Sequence, residues 1–80
     1  MKKYKLRAFG ATKEILGGKE VVIEADSSTV GELREYLEEK YPELKRLRSL
    51  FIAVNSSYAE EAQQLVENDE IALIPPVSGG

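Results

Sequence analysis

The residues best placed to do chemistry in this sequence carry no reactive side chain: the chain ends in Pro75-Pro76-Val77-Ser78-Gly79-Gly80. Two prolines lack backbone donors, stop a strand and hold an extended, polyproline-like exit, while two terminal glycines leave nothing to obstruct approach. Extended, six residues reach about 20 Å at roughly 3.3 to 3.6 Å each. Such a tail can carry its terminal carboxylate away from the domain, through a narrow channel and into the active site of another protein. The plainer reading of Gly79-Gly80 alone is a frayed terminus, since domain ends are commonly disordered.

The rest of the composition closes most other routes to catalysis. There is no cysteine and no histidine, which excludes a zinc or iron–sulfur site, a disulfide, a thiol nucleophile and a Ser/His/Asp triad. Ser78, a lone serine without a histidine to activate it, reads as a spacer. Glu60, Glu61, Glu67, Asp69 and Glu70 lack calcium-loop spacing, so no metal is expected. With 14 acidic and 11 basic side chains the net charge is −3, against the clustered cationic excess that a nucleic-acid binder needs. No run approaches the roughly 18 apolar residues of a membrane span, and the start Met1-Lys2-Lys3-Tyr4-Lys5 is not a signal core. Cytoplasm is the expected compartment.

Eighty residues suffice for one small core, expected over 1–74, with 75–80 as the tail. Alternation of Tyr4, Leu6 and Ala8 with Lys5 and Arg7 predicts a half-buried strand over Lys3 to Phe9. Gly10 releases the chain into a short helix, Ala11 to Leu16, stopped by Gly17-Gly18. The β-branched run Glu20 to Ala25 predicts a second strand, antiparallel to the first.

Thr29 and Glu32 make a capping box, and Val30, Leu33, Leu37 and Tyr41 recur at helical spacing until Pro42, so the main helix lies here with these four residues against the sheet. Lys45, Arg46 and Arg48 form a charge run read as solvated surface, without a function. The continuous apolar run Leu50 to Val54 predicts a strand buried on both faces. Ala59 to Leu65 is ambiguous between helix by propensity and a short edge strand near Ser56 to Glu60. Glu70 to Ile74 is the last strand, and because Lys2 to Lys13 carries only basic charges and Glu60 to Glu70 only acidic ones, first and last strands should be neighbours. The order predicts an α+β fold, one mixed sheet packed on one main helix.

A Pro-Pro-Val-Ser-Gly-Gly ending reached directly from the Asp69-Glu70-Ile71-Ala72-Leu73-Ile74 strand resembles the small subunit of molybdopterin synthase, a ubiquitin-like sulfur carrier with a β-grasp fold. The resemblance extends to Leu6-Arg7-Ala8-Phe9, Lys13-Glu14-Ile15-Leu16-Gly17, Thr29-Val30-Gly31-Glu32-Leu33, Ala53-Val54-Asn55 and Asn68-Asp69-Glu70. Ser57 to Gln64 departs from it, being more acidic and more helix-prone than the family's fourth strand.

The resemblance implies a non-catalytic carrier subunit with a flexible Gly-Gly tail and no bound cofactor. Gly80 would carry the reacting carbonyl, Gly79 would allow close approach, and Pro75, Pro76, Val77 and Ser78 would set reach and register. An adenylyltransferase related to ubiquitin-activating enzymes would use ATP to activate Gly80, a sulfurtransferase would supply sulfur to give a thiocarboxylate, and the large synthase subunit, in a heterotetramer, would pass that sulfur to a cyclic pyranopterin. Phe9, Tyr58 and Ile74 match the family's apolar docking patch beside the tail, with ordinary sheet packing as the alternative reading. Other functions open to the same sequence are a modifier conjugated to lysines, a thiamine-pathway sulfur carrier and a plain interaction domain with an inert tail.

Overall fold

Alternation in the first and last strands decides which face of the sheet is covered. A computed structural model of the chain describes residues 2–47 and 50–75. In chain order it contains β1 (Lys2–Ala8), α1 (Ala11–Leu16), β2 (Glu20–Ala25), α2 (Val30–Lys40), a 3-10 turn (Pro42–Arg46), β3 (Phe51–Val54), β4 (Ser57–Tyr58) and β5 (Glu70–Ile74). The five strands form one sheet in the order β2-β1-β5-β3-β4. β1 and β5 are parallel neighbours at its centre, and β2, β3 and β4 join antiparallel. This is the expected α+β arrangement, a β-grasp.

Tyr4 and Leu6 of β1, Ile23 of β2, Ile52 of β3 and Ile71 and Leu73 of β5 are buried together with Val30, Leu33 and Leu37 of α2. Helix and sheet thus satisfy each other's apolar faces, as their 3.6- and 2-residue periods require. The capping box forms as expected: Glu32 N donates to Thr29 Oγ1 at 3.2 Å, and Thr29 N donates to Glu32 Oε1 at 3.3 Å. Tyr41 is a correction, for it is only partly buried. It is the residue that ends α2, with φ −125° and ψ 81°, and it packs against the core cluster while staying partly exposed. Arg48 of the expected basic run lies outside the described residues.

β3 corrects a second expectation. Ile52, Ala53 and Val54 are buried, but Phe51 is exposed. Ile52 and Val54 face the helix, and Phe51 stands on the opposite face, where no helix covers the sheet. The ambiguous stretch is neither helix nor strand beyond the two residues of β4. Its backbone turns back on the start of α2: Val30 N donates to Gln63 O and Gly31 N to Glu61 O, both at 2.9 Å, and Leu65 N to Ser28 O at 2.8 Å. Arg34 Nε also donates to Glu61 Oε1 at 2.7 Å. The first two N–H groups of α2 are therefore satisfied by carbonyls of this stretch, and the third, Glu32 N, by Thr29 Oγ1.

The central pairing of β1 with β5 places Lys5 opposite Glu70, and Arg7 Nη1 lies 3.5 Å from Glu70 Oε1. The charge argument for their adjacency holds, although both side chains are half exposed and the pair contributes at most about 1 kcal/mol.

Tyr4 is wholly buried and its hydroxyl donates to the Ser27 carbonyl at 2.6 Å. Burial, then the nearby carboxylates of Asp69, Glu67 and Glu32, raise the phenol's pKa above its ordinary value. The folded protein therefore holds this proton more tightly than the unfolded chain does. The resulting stability is present below about pH 10 and is lost as pH rises through the raised folded value. Tyr4→Phe should cost about 1 to 2 kcal/mol in denaturant titrations at neutral pH, since it leaves the Ser27 carbonyl without its donor. It should also flatten the alkaline loss of stability, and an unchanged loss would assign that pH dependence to another group.

Candidate functional site

On the uncovered face, register makes a site from small residues. Arg7 lies opposite Ala72, Ala72 opposite Ala53, and Ala53 opposite Tyr58, so one row crosses β1, β5, β3 and β4. Two alanines at the centre of the row leave a depression of about 340 Å³, walled by Phe9, Tyr58 and Ile74 with Arg7, Ser56 and Glu70 at its polar margin. The three residues expected to form an apolar patch are therefore brought together.

Each wall residue is placed by its strand. Ile74 is the outward residue at the end of β5, following the buried Leu73, and it pairs with Phe51 of β3. Tyr58 ends the short β4 and is 72% exposed, and its ring stands 5.7 Å from that of Phe51, tilted by 54°. Phe9 follows β1 rather than belonging to it, and is 45% exposed. Its ring lies 5.9 Å beneath the Arg7 guanidinium, a cation–π contact that orients both.

Sequence reasoning missed Phe51, which widens the patch, and Arg7, which borders it. A continuous apolar run gives no alternation from which to assign Phe51 to a face. The usable signal was the Ala53 and Ala72 pair, whose small side chains only meet once the β3–β5 register is known.

Exposed aromatic and aliphatic side chains beside the Arg7–Glu70 ion pair are the composition that protein-docking surfaces commonly have. Among the described residues no three Asp or Glu side chains are grouped to hold a metal ion. None of the described helices is long and apolar enough to cross a membrane. Of the tail, Pro75 is described and directly follows the patch residue Ile74. Pro76, Val77, Ser78, Gly79 and Gly80 lie outside the described residues.

Residues 6–80 match the model of the ThiS family. The chain belongs to the ThiS family. Among relatives of this ThiS family member, the molybdopterin synthase sulfur carrier subunit of Dictyostelium discoideum is 38% identical, the match covering 96% of this chain and 95% of that protein. One chain of the protein–protein complex of subunits 1 and 2 of molybdopterin-converting factor from Helicobacter pylori is 32% identical, with a TM-score of 0.69 and coverage of 98% of this chain and 99% of that one. The solution structure of small archaeal modifier protein 1 from Methanosarcina acetivorans has a TM-score of 0.76 at 27% identity, covering 100% of this chain and 98% of that one.

Proposed function

We propose that this chain is the sulfur carrier subunit of a molybdopterin synthase and that Gly80 is its reacting residue. The observation that carries this reading is the near full-length match to molybdopterin synthase sulfur carrier subunits, in a chain whose Pro75 to Gly80 segment begins directly after Ile74 of the exposed patch. The chemistry suits a protein without cysteine or histidine. A carboxylate is a poor electrophile, so an adenylyltransferase partner supplies ATP. A Gly80 carboxylate oxygen attacks the α-phosphorus, pyrophosphate leaves, and an acyl-adenylate forms. A sulfide equivalent from a sulfurtransferase then attacks the carbonyl and AMP departs, leaving a thiocarboxylate. In the large synthase subunit this tethered sulfur attacks a carbon of the cyclic pyranopterin and displaces an oxygen substituent. Water then cleaves the resulting Gly80 thioester, leaving the sulfur on the pterin and the Gly80 carboxylate free. General acid, general base and substrate pocket belong to the partners, and the cytoplasm, with its ATP, is where these steps occur.

Phe9, Tyr58 and Ile74 supply the docking surface, and Pro75 to Ser78 set reach and register through the partner's channel. The likeness to a small archaeal modifier protein supports a second reading, in which activated Gly80 is passed to lysine amines of other proteins. One experiment separates them. Full-length protein incubated with ATP, the adenylating partner and a sulfur donor should show one terminal oxygen replaced by sulfur in intact-mass measurement. Terminal carboxylate found in amide linkage to lysines, with no thiocarboxylate, would give the modifier reading first place.

A further inference from the structure

The turn after β1 contains a buried hydroxyl and a strained glycine that the docking surface leaves unexplained. Thr12 is completely buried. Its Oγ1 accepts from Phe9 N at 2.9 Å and shares its one proton between Phe9 O at 2.6 Å and Leu73 O at 3.3 Å. Phe9 N also reaches Leu73 O at 3.3 Å. The turn is thereby fixed to the end of β5, two residues before Pro75.

Gly10, between Phe9 and Thr12, has φ +55° and ψ −131°, a conformation that side chains disfavour. A Cβ at this position would stand only 3.0 Å from Cγ of Pro75, closer than carbon atoms normally pack. The bare backbone of Gly10 is thus a seat for the first tail residue, and Thr12 holds the seat in place.

We propose that the Phe9–Thr12 turn aims the C-terminal tail, with Gly10 and Thr12 as positioning residues for the reaction of Gly80. This inference rests on the sulfur-carrier reading. The ring of Pro75 holds its own φ near −65°, so ring and seat together limit the directions in which the backbone can leave Pro75. Five residues follow Pro75, about 17 Å when extended in a partner's channel. A tilt of about 10° at the root would displace the far end by about 3 Å, against a catalytic tolerance of about 1 Å. Filling the seat therefore costs turnover.

The test compares Gly10→Ala, Thr12→Val and Thr12→Ser with wild type in thiocarboxylate formation by the adenylating partner, well below each variant's Tm. Gly10→Ala should lower kcat about a hundredfold or more with KM unchanged, Thr12→Val should act in the same direction, and Thr12→Ser should restore the wild-type rate. Wild-type kcat in both Gly10→Ala and Thr12→Val, a rise confined to KM, or Thr12→Ser no better than Thr12→Val would overturn the positioning role. If Gly10→Ala does not fold, the two Thr12 variants decide alone. In the wild type, a nuclear Overhauser contact between Gly10 Hα and the Pro75 ring should be present, and its absence overturns the seat independently of activity. Wild-type protein that stays unmodified rejects the sulfur-carrier reading, and the aiming role with it. A modified wild type matched by its variants rejects the aiming role alone.

Discussion

Deleting Gly80, or adding one residue beyond it, is expected to abolish thiocarboxylate formation and leave the melting transition where it was. Either change moves or blocks the terminal carbonyl by about 3.5 Å, and catalytic groups tolerate misplacement of about 1 Å before rates fall by orders of magnitude. The buried core runs from Tyr4 to Leu73, so nothing it depends on is touched. Intact-mass measurement after incubation with the adenylating partner, ATP and a sulfur donor gives the first outcome, and calorimetry the second. A truncated chain that still supports sulfuration of the pterin would show that the reacting group lies elsewhere.

Phe9→Glu should weaken binding to the large synthase subunit by about 2 kcal/mol or more, roughly thirtyfold in Kd. An exposed aromatic ring at the wall of an apolar depression is the kind of side chain on which interface energy concentrates. The replacement also places a carboxylate where water is displaced on docking. Because Phe9 is 45% exposed and lies outside the core cluster, Tm should change little. Titration calorimetry and thermal melts on the same variant make the comparison. A large fall in Tm with undiminished affinity of the folded fraction would assign Phe9 to packing.

What could be read from residue order alone was local. Tyr4, Leu6 and Ala8 announce the buried face of β1 because a strand has period two. Thr29 and Glu32 announce the start of α2 because their side chains answer each other's backbone three residues apart. Segments whose partners are distant were not readable, except where opposite charges marked β1 and β5 as neighbours. The stretch after β4 contains helix-forming residues, yet its carbonyls are taken by Val30 N and Gly31 N, and no propensity scale contains that information. Phe51 followed the same rule, since its face is set only when β3 pairs with β5 and Ile52 and Val54 join the core with α2. Phe9, Tyr58 and Ile74 were singled out by resemblance, but the hollow between them comes from Ala53 meeting Ala72, a register that emerges only when β3 and β5 pair. Gly10 was legible as a break in the chain and illegible as a seat, because its neighbour Pro75 lies 65 positions further on.

The last strand occupies the middle of the sheet, between β1 and β3. During synthesis, a nascent chain that has not yet delivered β5 cannot join its two sheet halves, and its hydrophobic helix face has no complete surface to cover. Folding must wait for β5 to leave the ribosome, and pairing across some 65 positions, as in Lys5 with Glu70, makes closure slow relative to a helical protein of this size. The same event that completes the sheet also brings Ala72 and Ile74 into the exposed row beside Ala53 and Arg7, so a chain that stops before β5 would lack the closed sheet and that row together.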